Sequence, residues 1–446
     1  MITLLHGDCL DKLKELENNS VDSIVTDPPY ELGFMGKSWD STGIANNVDM
    51  WKECLRVLEP GGHLLAFSGT RTYHRMACAI EDAGFEVRDM IEWVYGSGFP
   101  KSLNIGKVLD KFLKTGNASW NGTGDSSNGA LGYSKLQHKQ GYRPEDYSNR
   151  HQNKEDIREE QAKQWEGWGT ALKPAHEPIC MARKPLSEKT VAENCLKWGT
   201  GGINVDESRV GIETITVNRH SGYNSNSLVE STKGKWQGEQ EQVIGRFPAN
   251  FIHDNSEEVR ECFPEQKSSG NRKNVQYKNP NKPVVNFGGG IKNDFNDSGS
   301  ASRFFKSIIY QAKASKSERN RGCEELEEKI QNNETTQSRT FNDRCLTCKK
   351  KFVGSDNTIC HCPPELKITD KTVYTNKNNH PTVKPIALME YLIKMVTPKN
   401  GIVLDPFMGS GSTGVACKKN DFSFIGIDMT ADYVEIAKAR IDNLTK

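Results

Sequence analysis

The sequence predicts an α/β fold: a doubly wound, mostly parallel sheet carrying a long irregular insertion. Three observations predict it. Residues 1–112 alternate apolar strands with amphipathic helices. The same rhythm returns after Pro381. Between them, residues 187–370 are polar, rich in Asn, Ser, Gly and Lys, and show no strand–helix–strand rhythm.

Met1–Leu5 is a short apolar strand, Gly7-Asp8-Cys9 a loop, and Leu10–Leu16 has helical apolar spacing. Ser23-Ile24-Val25 is a second strand. Met50–Leu58 places Trp51, Cys54, Leu55 and Leu58 on one helical face, and Pro60-Gly61-Gly62 stops it. His63–Phe67 is a strand, Tyr73–Gly84 a helix and Val87–Tyr95 a strand. The composition of 114–163 predicts a mobile insertion. Order resumes at Trp165–Trp168, and His176–Lys184 is a further strand. Inside 187–370, Arg246–Phe251 and Phe304–Ala312 are islands of order, the second followed by a basic stretch of Lys313, Lys316, Arg319 and Arg321. The C-terminal segment reads as helix Ile386–Val396, strand Gly401–Leu404, helix Gly411–Lys419, strand Phe424–Ile427 and helix Tyr433–Ile441. The division expected is 1–186 and 371–446 as two parts of one domain, with 187–370 as a separate region.

A chain of 446 residues has room for two or three domains. Lys+Arg 59 against Asp+Glu 58 leaves a net charge of +1, which excludes a globally basic surface; any nucleic-acid contact must be local. No apolar run is long enough for a membrane span, and Met1–Asp8 does not resemble a signal peptide. The twelve cysteines are scattered except for one cluster, which suits a reducing cytoplasm better than a disulfide framework.

Two loops carry the chemistry. In Asp27-Pro28-Pro29-Tyr30 the prolines fix φ and donate no N–H, so the chain leaves the sheet as a stiff extended loop. It presents one carboxylate, backbone carbonyls and a flat ring, a set that suits a planar base with an exocyclic amine. In Asp405-Pro406-Phe407-Met408-Gly409-Ser410-Gly411 a strand enters a helix through a glycine-rich turn, and Asp428 ends the next strand. That spacing is where nucleotide-binding folds place the carboxylate for a ribose hydroxyl. No Lys-Ser/Thr follows the last glycine, so this is not a Walker phosphate loop.

These motifs resemble the amino-methylating DNA methyltransferases, which methylate adenine N6 or cytosine N4 with S-adenosylmethionine. Catalytic motif first, recognition region next and cofactor motif last is that family's beta-class order. Gly7-Asp8-Cys9 and His380-Pro381-Thr382-Val383-Lys384-Pro385 fit the same pattern. The resemblance covers roughly 1–112, 165–186 and 380–446. It implies a Rossmann-like methyltransferase sheet with circularly permuted motifs, a target-recognition region in the middle, and double-stranded DNA as partner. Asp27, Pro28, Pro29 and Tyr30 would be catalytic: Asp27 and the Pro28 carbonyl hold the amine, and Tyr30 stacks on a base flipped out of the duplex. Asp8, Thr26, Lys384, Asp405, Phe407, Gly409, Gly411 and Asp428 would line the cofactor. Phe34 and Trp39 are candidates to close the base pocket.

Cys345, Cys348, Cys360 and Cys362 have knuckle spacing and are read as a zinc ribbon within 341–365. The leading expectation is site-specific adenine-N6 methylation in the cytoplasm, with a restriction endonuclease as companion and either a monomer or a homodimer as the working form. Cytosine-N4 methylation and a non-catalytic DNA-binding subunit are the alternatives.

Overall fold

The fold is that of a computed structural model, which describes residues 1–32, 40–96, 98, 102–116, 159–218, 240–267, 298–308, 319–326, 329–330 and 375–444. The chain divides into two compact units: 1–98 with 175–325 and 380–446, and 99–174 with 326–379.

The first unit is built on nine strands: β1 (Ile2–His6), β2 (Val21–Thr26), β3 (Leu58–Phe67), β4 (Glu86–Val94), β5 (His176–Arg183), β6 (Phe251–His253), β7 (Lys306–Ser307), β8 (Ile402–Asp405) and β9 (Ser423–Asp428). Their order across the sheet is β1-β9-β8-β2-β3-β5-β4-β6-β7. Every neighbouring pair is parallel except the two made by β5, which runs against β3 and β4. The fold is therefore α/β with a mostly parallel sheet, as expected.

Helices flank it, among them α1 (Cys9–Lys14), α2 (Val48–Val57), α3 (Tyr73–Asp82), α4 (Ile386–Val396), α5 (Ser412–Lys419) and α6 (Ala431–Asp442). Alternation along the strands decides which helix covers which face. Val25, Val403 and Phe424 point to one face and pack with Leu392, Val415 and Ile441 of the C-terminal helices. Their chain neighbours Ile24, Leu404 and Ile425 point to the other and pack with Leu13, Trp51 and Ile80 of α1–α3. Burial on both faces explains why these strands read as continuous apolar runs. Each fully buried aromatic such as Phe424 contributes about 1.5–3 kcal/mol. Trp51 also keeps its indole N–H satisfied, donating to the Ala45 carbonyl at 2.9 Å.

Two features depart from expectation. β3 begins at Leu58, before the Pro-Gly-Gly, because Leu58 pairs with Val21 and the register then shifts so that His63 meets Ser23. Gly61 absorbs the irregularity at φ +81°. The polar middle also extends the sheet: β6 and β7 form its far edge. Residues Val210–Asn218 and Gln240–Arg246 form a separate antiparallel pair.

In the second unit, Asn104 caps helix Ile105–Thr115 by accepting from Lys107 N at 3.0 Å, and Gly116 closes it in the left-handed region. Trp165 and Trp168 pack edge to face at 5.3 Å. Lys329–Ile330 pairs with Thr375–Asn376. Among the described residues, no helix is long and apolar enough to cross a membrane.

Candidate active site

β8 and β2 are hydrogen-bonded neighbours, with Val403 opposite Ser23 and Leu404 opposite Ile24. From β8 the chain turns one way, to β9; from β2 it turns the other way, to β3. Such a divergence opens a crevice at the carboxyl ends of the two strands. Asp405 ends β8 and Asp27 follows β2, so both predicted motifs open on that crevice. The junction is tied below as well: Asp22 Oδ2 accepts from Ile402 N at 2.6 Å, and Ser23 Oγ meets Thr397 Oγ1 at 2.8 Å.

The Asp27–Tyr30 loop is clamped through its backbone. Tyr30 N and Leu32 N donate to the two oxygens of Asp40 at 2.8 and 3.3 Å, and Thr72 Oγ1 donates to the Tyr30 carbonyl at 2.7 Å. Gly69 comes so close that a Cβ there would stand 3.3 Å from the Tyr30 ring. The side chains then meet two residues from distant parts of the chain. Lys384 Nζ donates to both Asp27 oxygens at 2.8 Å and lies 3.0 Å from Tyr30 Oη. Glu177 Oε2 on β5 accepts from Tyr30 Oη at 3.0 Å and is 3.2 Å from Lys384 Nζ. The ammonium also sits 4.9 Å from the Phe67 ring centroid.

Burial by itself would push the Lys384 ammonium down, but Asp27 and Glu177 outweigh it and the net shift is upward. Burial, Asp27 and Glu177 together push the Tyr30 phenol up. Both groups therefore hold their protons at neutral pH.

The glycine loop is held from several sides. Asp405 is buried beneath it and accepts three hydrogen bonds: from Thr26 Oγ1 at 2.7 Å, Thr413 Oγ1 at 2.6 Å and Phe407 N at 3.1 Å. Burial raises its carboxyl to about 6, against the pull of those donors. Arg440 on α6 donates to the Ser410 carbonyl at 2.6 Å and to Ser410 Oγ at 3.0 Å. Gly409 and Gly411 adopt φ +50° and +77°. A Cβ at Gly411 would lie 2.8 Å from that of Ala437, and one at Gly409 would lie 2.5 Å from His380 Nε2. The His380 ring stands edge-on to Tyr433 at 4.5 Å, and burial lowers its pKa to about 4, so it is neutral.

Asp428 ends β9 beside this loop. Its oxygens accept from Gly409 N at 3.0 Å and Thr430 N at 2.8 Å, and the residue stays partly exposed. A carboxylate has about four acceptor sites, so further donors can be received there. Asp8 ends the adjacent turn and caps α1 through Leu10 N at 2.8 Å. Gly7 N donates to the Asp428 carbonyl at 3.0 Å, which brings the Asp8 turn alongside.

The sequence-predicted residues thus separate into two groups. Asp27, Pro28, Pro29 and Tyr30 share one loop, and Phe407, Gly409, Gly411, Asp428 and Asp8 gather around the neighbouring strand ends. Thr26 and Asp405, expected at the cofactor, are buried and bond each other as an internal strut. Lys384, expected at the cofactor, is bound to Asp27. Phe34 and Trp39 lie outside the described residues, as do Cys345, Cys348, Cys360 and Cys362. Among the described residues no cluster of three or more His, Cys, Asp or Glu could hold a metal. Glu177, Asp40 and Thr72 were not foreseen. Glu177 gave only one signal, an acid at the start of a strand whose middle, Ile179–Ala182, is apolar.

The DNA methylase family model of the N6/N4 type matches residues 21–439. The Type II methyltransferase M.HpaI of Haemophilus parainfluenzae is 40% identical over 107 residues, 23% of this chain and 34% of that protein. M2.LlaDCHI of Lactococcus lactis subsp. cremoris is 48% identical over 63 residues, 14% of this chain and 23% of that protein. The chain therefore spans only about a quarter to a third of these curated relatives' length. Similar solved structures include the M1.HpyAVI–SAM complex, at 16% identity and a TM-score of 0.37 over 99% of this chain and 100% of that one. Another is the cytosine-N4-specific PvuII DNA methyltransferase, at 12% identity and a TM-score of 0.39 over 98% and 87%. The match of the family model across nearly the whole chain shows that the protein belongs to the N6/N4 DNA methylase family.

Proposed function

We propose that the protein is a site-specific DNA methyltransferase that transfers a methyl group from S-adenosylmethionine to adenine N6 in duplex DNA. The observation that carries this reading is the adjacency of the two motif loops at β8 and β2, bridged by Thr26 and Asp405 at 2.7 Å.

S-adenosylmethionine, when bound, supplies an electrophilic methyl group on a sulfonium. The residues present fit such a ligand. Asp428 offers acceptor sites of the kind a ribose diol needs, and Gly409 and Gly411 take positive φ to turn the chain tightly at the end of β8. Phe407, half-buried on the same loop, offers an apolar surface. Asp8 lies at the far end of this arc.

Asp27 acts on the other substrate. An exocyclic amine on a heteroaromatic ring is a poor nucleophile because its lone pair is delocalised. A carboxylate accepting one of its N–H bonds, with the Pro28 carbonyl accepting the other, draws the nitrogen towards a tetrahedral shape and frees the lone pair. That nitrogen would take the methyl group, leaving the carbon–sulfur electron pair on the donor, and would then lose a proton. Asp27 is the acceptor placed to take it. No step requires a covalent bond to the protein. Tyr30, with its backbone held by Asp40 and Thr72 and its hydroxyl by Glu177, is the stacking surface for a base swung out of the duplex. An aspartate in the first position of the loop favours adenine over cytosine. A restriction endonuclease with the same recognition sequence is the companion expected.

Labelled methyl transfer to duplex DNA, followed by digestion to nucleosides, tests the reading. N6-methyladenine supports it. N4-methylcytosine keeps the mechanism and changes the target. DNA binding without transfer would mark a non-catalytic subunit.

A further inference from the structure

Glu177 belongs to none of the sequence motifs, yet its carboxylate is part of the site. One ammonium, Lys384, is shared between two carboxylates: both oxygens of Asp27 at 2.8 Å and Glu177 Oε2 at 3.2 Å. The three side chains are largely withdrawn from water, with exposures of 10% for Lys384, 20% for Asp27 and 18% for Glu177. Their formal charges sum to −1.

The arrangement has two consequences. Lys384 takes one acceptor site on each oxygen of Asp27, where the target amine must also bind. Were Asp27 its sole counter-charge, moving aside would strand a buried ammonium, which is strongly unfavourable. Glu177 supplies a second anchor already within reach. Methyl transfer also carries positive charge from the methyl donor to the target nitrogen, next to Asp27. A neutral Asp27–Lys384 pair offers that nitrogen little stabilisation, whereas a cluster with one extra carboxylate does.

We propose that Glu177 is a positioning residue for methyl transfer: it draws Lys384 away from Asp27 when the target amine arrives, and it keeps the cluster net negative as that amine becomes cationic. The inference rests on the amino-methyltransferase reading. It differs from a merely structural role, in which Glu177 would only accept the Tyr30 hydroxyl.

Glu177→Gln keeps an acceptor for Tyr30 and removes the charge. Single-turnover transfer to duplex DNA should slow by about thirtyfold, with the dissociation constant for S-adenosylmethionine changed less than about twofold. The decisive variant is Glu177→Gln with Lys384→Met, which restores a net charge of −1 on Asp27 alone. It should recover to within about threefold of wild type, an interaction that a double-mutant cycle reads directly. Lys384→Gln replaces Lys384→Met if the latter does not fold. A double variant no faster than Glu177→Gln, or a Glu177→Gln variant as fast as wild type, overturns the proposal. Wild-type protein that transfers no methyl to any duplex would instead overturn the function on which it rests.

Discussion

Asp27 and Asp405 stand at the carboxyl ends of adjacent strands, and their surroundings are opposite in kind. Asp405 is 2% exposed and spends its acceptors on Thr26, Thr413 and Phe407 N. Asp27 is partly exposed and bonded to an ammonium that has a second carboxylate beside it. A carboxylate satisfied by short, buried hydroxyls is a fixed strut. One satisfied by a long, shared side chain can exchange partners. The same residue type is thus a fixed strut on one strand and, in the proposed mechanism, the reacting carboxylate on the next, and only its neighbours distinguish the cases.

Substitutions should separate the two roles. Asp27→Ala is expected to have the largest effect, lowering methyl transfer by about a thousandfold. Binding of S-adenosylmethionine, measured by calorimetry, should stay within about twofold; a parallel loss of both would erase the distinction from Asp405. Asp405→Ala strands two buried hydroxyls and a backbone N–H, and should lower unfolding stability by about 3 kcal/mol in urea titration. A change below about 1 kcal/mol would show that the strut is dispensable. Asp428→Ala should weaken S-adenosylmethionine binding by about 1–3 kcal/mol with little change in stability. An unchanged dissociation constant would remove Asp428 from the site.

The smallest effect is in pH dependence. Burial raises the Asp405 carboxyl to about 6. Between its ordinary value near 4 and about 6, the folded state holds a proton that the unfolded chain has released. The contribution of this group to stability therefore falls as pH rises through that window. His380, lowered to about 4, works in the opposite sense, since its neutral form belongs to the fold. Asp405→Asn removes only the first slope. The stability of wild type relative to Asp405→Asn should accordingly decline from pH 4 to 6, by on the order of 1–2 kcal/mol. A constant difference would mean that Asp405 is not protonated in that range.

Much of this frame was legible because it is written in local chemistry. Ile386–Val396 appears as a helix with the bounds its apolar spacing gave, and the predicted sheet strands other than β3 shift by a residue or two. Pro28-Pro29 and the Gly409–Gly411 turn announce strand exits in the sequence itself. The partners of Asp27 were not legible, because they depend on long-range register. Glu177 reaches Tyr30 only because β5 runs against β3, which sets Cys180 opposite Ala66 and the strand's start over the crevice. Lys384 follows a proline-bounded loop whose path no periodicity describes. The three donors of Asp405 were not legible either, because an acid beside a glycine loop looks the same from the sequence whether it faces inwards or outwards.

The seam between β2 and β8 also bears on synthesis. Thr26 and Asp405 are 379 positions apart. At about 5–20 residues per second, the side of β2 that β8 will occupy stays open for roughly 20–80 seconds on the ribosome. An apolar strand with an unsatisfied edge invites pairing with the wrong partner for that whole interval. Ordering of the nascent N-terminal segment is therefore provisional until the last strands emerge, and yield in cells should respond to chaperone supply more steeply than the stability of the finished protein would suggest.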